Sequence, residues 1–447
     1  MHILVLNGSP KGENSITLQT IRYLQKRFPD VQFDVLHVGM KVKSLQKDFS
    51  PALTAIEKAD VLLFSYPVYT FIAPCQLHKF IELMKTHQAA VSGKIATQVT
   101  TSKHFYDVTA HRYIQDNTQE MGMHFIRGLS ADMEDLTCEK GRTEAENWLK
   151  HFLWSAEKGY FEPYYPAGAP TPAVPATVPE VSEEARSGDV VIIADLKPED
   201  IQLHNMIARF RARLPYATRV VNLQEYPFSG GCLGCFRCAV SGKCVHKDGF
   251  DDYLRTGIQT ADAMVYAFPI QDHSMGALFK MYDDRQFCNG HRTVTIGMPV
   301  GYLISGNLSR EENLRIIIEG RANVGKNILA GIATDEADTD AAIDQLCETL
   351  AYSLKYKNTG PQNFYGVGGM KIFRDLIYQM RGFMRADHQF FKSHGQYDFP
   401  QKQWPKSLAM YLVGAMIANP KLHSKIGSQM TEGMLMPYKK VLQDMDK

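Results

Sequence analysis

The chain repeats itself, and that limits its fold more than any other feature. "HILVLNGSP" near the N-terminus is answered by "GDVVIIADL" from Gly188, and "KADVLLFSYPVYTFIAPCQLHKF" by "TADAMVYAFPIQDHSMGALFKM". Asp60 to Pro67 and Asp262 to Pro269 are both seven positions; Pro67 to Lys79 is twelve and Pro269 to Lys280 eleven. Gly122, Gly128 and Asp132 in "GMHFIRGLSAD" keep the spacing of Gly325, Gly331 and Asp335 in "GKNILAGIATD". Two copies of one unit follow from this pattern. Each copy alternates strand with helix, and its strands are too continuously apolar to have a wet face. The pattern predicts α/β architecture: two tandem flavodoxin-like, doubly wound parallel sheets covered by helices, plus a C-terminal helical extension.

The boundaries expected are 1–158 for the first copy, 159–187 for a linker, 188–357 for the second copy and 358–447 for the extension. The linker contains "FEPYYPAGAPTPAVPATVPE", with six prolines in twenty residues, and reads as an extended, semi-rigid spacer. In the extension, Phe373, Leu376, Ile377, Met380, Phe383 and Met384 recur at helical spacing and read as a core-packing stripe, with Arg374, Arg381 and Arg385 on another face that is either solvated or in contact with a phosphate or nucleotide.

A net charge of +1 implies no broad attraction to nucleic acid or anionic membrane. The longest uncharged apolar run, near Leu408 to Ala418, is too short to span a bilayer. The chain therefore reads as cytoplasmic, with no nucleic-acid or membrane partner.

The first strand feeds "LNGSPKGENSIT" and then a helix, which leaves unpaired N–H groups at the helix start, suited to a phosphate. Ser9, Ser15 and Thr17 add hydroxyls and Lys11 adds charge. The loop lacks the Gly-Lys-Ser/Thr ending of a triphosphate loop and the Gly-x-Gly-x-x-Gly of a dinucleotide site. Capture of one terminal phosphate suits a mononucleotide such as FMN. "SYPVYTF" and "TTSKHFYD" follow later strands, where a doubly wound sheet places its ligand loops.

Eight cysteines are present, four of them scattered: Cys75, Cys138, Cys288 and Cys347 read as small buried apolar residues. The others form a C-x2-C-x2-C-x5-C run, Cys232, Cys235, Cys238 and Cys244, in "GGCLGCFRCAVSGKCVHKDGF". That run suits an iron–sulfur cluster, zinc, or reduced or disulfide-forming thiols. In the second copy the opening loop is "ADLKPEDIQLHN", whose Glu199 and Asp200 would repel a phosphate. The second copy is therefore expected to bind no FMN.

"NGSPKGENSIT", "YPVYTF" and "TTSKHFYD" resemble the loops of flavodoxin-like NAD(P)H-dependent FMN reductases over about residues 1–152. The resemblance implies Ser9, Lys11, Ser15 and Thr17 at the phosphate. It implies Pro67, Val68, Tyr69, Thr70 and Phe71 beside the isoalloxazine, with Thr101, Ser102 and His104 closing the site. It implies NAD(P)H as the donor and a small-molecule or protein electron acceptor, and it designates no catalytic acid or base; a low-potential electron donor in place of NAD(P)H stays open. The cysteine run resembles the motif of iron–sulfur flavoproteins, which implies a [4Fe-4S] cluster at Cys232, Cys235, Cys238 and Cys244. Members of the reductase group pair as dimers, so the resemblance implies a monomer with an internal pseudo-dimer, or a homodimer. Two other readings stay open: an electron carrier without its own substrate, and a non-catalytic scaffold.

Overall fold

The architecture is that of a computed structural model describing every residue except 167, 181–184, 419–434, 437 and 446–447. The chain divides into two compact units, Met1–Phe390 and Phe391–Lys447.

The first half of the larger unit holds strands β1 (His2–Asn7), β2 (Gln32–Leu36), β3 (Val61–Pro67), β4 (Ile95–Ser102), β5 (His124–Phe125) and β6 (Leu129–Asp132). Its helices are α1 (Ile16–Arg27), α2 (Val42–Leu45), α3 (Ser50–Lys58), α4 (Cys75–Thr86), α5 (Asp107–Glu120) and α6 (Glu139–Lys158). The second half holds β7 (Val190–Ala194), β8 (Thr218–Asn222), β9 (Ala263–Pro269), β10 (Pro299–Ser305) and β11 (Ile328–Thr334). Its helices are α7 (Ile201–Arg213), α8 (Arg237–Ser241), α9 (Phe250–Tyr253), α10 (Gly276–Arg285), α11 (Glu312–Gly325) and α12 (Thr339–Tyr356).

The first sheet runs β2-β1-β3-β4-β5, with β6 also paired to β4, and every pairing is parallel. Read from β8, the second runs β8-β7-β9-β10-β11, again all parallel. Both follow the flavodoxin-like order, which places a ligand where the strand order reverses, between the first and third strands. The repeated sequence is thus a repeated fold.

Alternate strand residues serve different layers. Ile3 and Val5 pack with Leu18, Ile21, Leu149 and Phe152 of α1 and α6 on one face. Leu4, Leu6, Leu62 and Phe64 face the other way, into a core that continues through α4 to Val191, Ile193 and Phe268 of the second half. That shared core makes one unit of the two halves. The contact is reciprocal: Glu82 of α4 accepts the Ala277 N–H at the start of α10 (2.7 Å), and Asp284 of α10 accepts the Cys75 N–H at the start of α4 (2.8 Å).

A second polar tie between the halves titrates. His273 Nδ1 lies 3.0 Å from Glu311, and Nε2 is 3.5 Å from Glu120, an ion-pair rather than a hydrogen-bond distance. Lys85 pairs with Glu120 and, at 2.9 Å, with Asp272. Burial alone would lower the His273 pKa, but the two carboxylates outweigh it and lift it to about 9. An unfolded histidine titrates near 6.5. The contribution of His273 is therefore complete below about pH 6.5 and is lost as the pH rises to about 9. Unfolding midpoints between those limits should fall by the equivalent of roughly 1–3 kcal/mol, discounted for partial exposure, and His273→Gln should flatten that slope.

The Pro-rich segment is extended, as its composition predicts, but it is docked rather than a spacer. Thr171 N–H binds Asn307 Oδ1 (2.8 Å), Val174 N–H binds the Asp335 carbonyl (2.8 Å) and Thr177 N–H binds Asp340 (2.9 Å), while Ala176 is buried. Proline supplies no N–H, so the bonds fall on the residues between prolines.

The remaining helices are α13 (Phe364–Gln379), α14 (Arg385–Ser393) and α15 (Trp404–Ile417). The stripe predicted in the extension splits: Ile377 and Met384 are buried, and Phe383 is exposed. Arg374 is buried and pairs with Asp375 at 2.8 Å, so the predicted solvated face does not include it. Among the described residues, no helix is long and apolar enough to cross a membrane.

Candidate functional site

At the carboxyl ends of β1, β3 and β4, three loops meet around one open cleft. The first is the Gly8–Ser15 turn. Asn7, buried at the end of β1, staples it: its Nδ2 donates to the Gly12 carbonyl (2.9 Å) and its Oδ1 accepts the Ser9 N–H (3.2 Å). Gly12 has φ +56°, where a side chain would be strained. Ser15 caps α1, its Oγ accepting from the Leu18 N–H, and both Ser9 and Ser15 are buried. Two buried hydroxyls, Lys11 and the start of a twelve-residue helix therefore stand together. That donor set fits a phosphate monoester.

Ser9, Lys11, Ser15, Pro67, Val68, Tyr69, Thr70, Thr101 and Ser102 all line the cleft. Three predicted residues do not. Thr17 is fully buried and its hydroxyl bonds Thr101 Oγ1 at 2.6 Å, so it tethers the first loop to the third. Phe71 turns away from the cleft and packs against Phe105 and Tyr106, with ring centroids 5.0 and 4.1 Å distant. His104 points out of it, bonding Asp107 (2.7 Å) with its side chain 52% exposed. A left-handed backbone at His104, φ 53°, turns the side chain outward.

The cysteine run comes from the other half and reaches the same cleft: Cys232, Cys235, Cys238 and Cys244 all line it. The loop packs directly onto the β3 turn. A Cβ on Gly234 would stand 1.9 Å from the Tyr69 hydroxyl, and one on Gly231 would stand 2.2 Å from Cys75 Sγ. Gln76 Nε2 donates to the Cys232 carbonyl (3.1 Å), and Lys11 lies 5.7 Å over the Phe236 ring. Burial raises the Cys232 thiol well above its ordinary range and Cys238 to about 11, so both are protonated at neutral pH.

Zinc would need four sulfurs within about 2.3 Å of one ion. Among the described residues, no three His, Cys, Asp or Glu side chains form a group that could hold a metal ion. As arranged, the thiols border the cleft but form no group that could hold a single metal ion. Of the scattered cysteines, Cys75, Cys288 and Cys347 are buried as predicted; Cys138 is exposed because it caps α6, its sulfur accepting the Gly141 N–H (3.4 Å).

Sequence reasoning missed the far wall. Ile372, Phe373 and Leu376 of α13 line the cleft, with Phe287 and His291 from the second half. Asp387 of α14 fastens that wall: fully buried, it holds His291 Nδ1 at 2.9 Å and Arg292 at 3.3 Å. Only the apolar stripe hinted at it, and a stripe does not say what it covers.

The corresponding place in the second half differs at its first residue. Asp195 N–H bonds the Ala267 carbonyl as Gly8 N–H bonds that of Ser65, each at 2.9 Å, so a carboxylate stands where the first half has glycine. Asp195 is buried, and burial raises its pKa. Reconstitution should therefore load one flavin per chain, read from absorbance against protein mass; two would show a working second site.

Comparison with known proteins finds likenesses to parts of the chain. Residues 1–134 match the model of the NADPH-dependent FMN reductase family. An iron–sulfur flavoprotein of Archaeoglobus fulgidus is 26% identical over 175 residues, 37% of this chain and 78% of the relative. Another, from Clostridioides difficile, is 32% identical over 54 residues, 12% of this chain and 24% of the relative. Among solved structures, an NAD(P)H:quinone oxidoreductase from Methanothermobacter marburgensis is 16% identical, covering 40% of this chain and 99% of that one, with a TM-score of 0.29.

Proposed function

We propose that this chain, whose residues 1–134 belong to the NADPH-dependent FMN reductase family, is an FMN-dependent oxidoreductase with a single flavin site in its first half. In this reading it takes electrons from NADH or NADPH and passes them to an acceptor entering the same cleft. One observation carries the proposal: Ser9, Lys11, Ser15, Tyr69, Thr70 and Thr101 border one cleft that the second half and α13 complete.

Ser9, Lys11, Ser15 and the start of α1 would hold the phosphate. Pro67–Thr70 and Thr101–Ser102 would flank the ring, with Thr17 and Phe71 acting from behind through Thr101 and the β3 turn. Bound FMN supplies hydride acceptance and its return to an acceptor. The protein orients the ring and screens it from water with Phe287, Phe373 and Leu376. The proposed organisation keeps the boundaries 1–158, 159–187, 188–357 and 358–447, with the halves as an internal pair in a cytoplasmic monomer.

A second reading is favoured by the names of the two curated relatives and by the cysteine run's place on the cleft: an iron–sulfur electron carrier. Anaerobic mixing separates them. Bleaching of bound flavin by NAD(P)H, with repeated turnover on adding an acceptor, supports the oxidoreductase. Flavin reduced only by one-electron donors, with iron and sulfide bound, supports the carrier. A protein that takes up no flavin supports a scaffold.

A further inference from the structure

We infer that Lys280 and Asp284, on α10 of the second half, are positioning residues for the flavin-flanking turn of the first half. The inference rests on the flavin reading above.

The two side chains lie one helical turn apart, both fully buried, and form an ion pair. Each also reaches across to the other half. Lys280 Nζ donates to the Tyr69 carbonyl (3.1 Å), and Asp284 accepts from the Thr70 hydroxyl (2.9 Å) and the Cys75 N–H (2.8 Å). Between those contacts the chain makes a strained turn: Thr70 has φ 44° and Phe71 φ 76°, left-handed values that non-glycine residues rarely adopt. Tyr69 and Ile72 bridge its base through 2.8 and 3.1 Å hydrogen bonds. Such a conformation persists only where its surroundings over-determine it.

The pair also fixes which way a peptide faces. The Tyr69–Thr70 bond is trans, so a carbonyl held toward Lys280 sets the Thr70 N–H on the opposite edge. Among the described residues nothing accepts that N–H, and Thr70 lines the cleft. It is a donor kept for a ligand.

The repeat supplies the comparison. Lys280 is the fifth residue of α10 and Lys79 the fifth of α4; Lys79 is 37% exposed and pairs with Glu82 on its own helix. Where α10 has Asp284 at its ninth position, α4 has Leu83. The buried pair therefore serves only the half whose cleft carries the phosphate loop. Apolar residues of similar volume would fill this interface with less desolvation cost, so the pair is better explained by the turn it holds than by packing.

The test uses the full chain, stripped of flavin and titrated with FMN by fluorescence, with flavin midpoint potential and circular dichroism as further readouts. Lys280→Met is expected to weaken FMN binding by about 10-fold or more and to shift the potential, with Lys280→Arg restoring part of both. Thr70→Val, which removes one hydroxyl, should weaken binding by about 3-fold. Lys280→Met that folds and binds FMN with wild-type affinity and potential would overturn the inference. If Lys280→Met does not fold, Thr70→Val decides, and unchanged affinity there overturns it. Wild type that takes up no FMN instead overturns the flavin reading, and the inference with it.

Discussion

Replacing Arg285 with methionine is expected to cost the fold about 3–5 kcal/mol and to free the cysteine run. Arg285 is 1% exposed and forms two parallel bonds to Asp248, at 2.8 and 2.7 Å. It also donates to the Gly230 carbonyl (2.8 Å), two residues before the run begins. Its guanidinium lies 5.8 Å from the Phe228 ring centroid and 5.1 Å from that of Phe250. Burial alone would raise the Asp248 pKa, but Arg285 and the Ser229 donors hold it well below the usual carboxylate range. Removing one partner strands the other charge in the interior, which is why the cost exceeds that of a surface pair. Urea unfolding would measure it. In the native state the thiols of Cys232–Cys244 should react faster with a thiol reagent in Arg285→Met and in Asp248→Asn, because the loop loses its anchor. Unchanged thiol rates would mean that the loop is held instead by Gln76 and by His246, whose Nε2 lies 3.0 Å from the Gly231 carbonyl.

Gly39→Ala should act on the opposite wall. Gly39 follows β2, and its missing side chain lets the chain pass directly beneath the phosphate loop. A Cβ there would stand 2.2 Å from the Gly8 carbonyl oxygen, 2.5 Å from the Gly8 carbonyl carbon and 2.7 Å from that of Ser9. Those atoms are backbone, so no side chain can rotate aside. The loop must shift, and Ser9 shifts with it. Loss of FMN affinity by roughly 10- to 100-fold is expected, equivalent to about 1.4–2.8 kcal/mol. Stability should fall by about 1–3 kcal/mol. Gly360→Ala, with open space around its Cβ, is the control and should change neither.

The repeat was legible because duplicated strands keep their apolar runs and their turn glycines. Matched spacings such as Gly122–Asp132 and Gly325–Asp335 survive even where the side chains between them have diverged. The phosphate loop was legible because its hydroxyls, lysine and helix start are consecutive in sequence. What was not legible depends on contacts between distant residues. Nothing local in "TTSKHFYD" says that His104 turns outward to Asp107 while Phe105 turns in. The placement of Phe71 follows from the left-handed turn at Thr70, which the second half holds. The α13 wall could not be foreseen, since a helical apolar stripe records that something is covered and not what. Arg374 misled for a related reason: helical spacing places it on a face but says nothing about a neighbour lying over that face.

On the proposed reading, one flavin sits in the first half of the chain and none in the second. The most direct measurement is flavin stoichiometry on protein reconstituted with FMN without oxygen, with iron and sulfide quantified in the same sample. One FMN per chain, reduced to well under one by Gly39→Ala, is expected. No FMN, or two per chain, would overturn that reading.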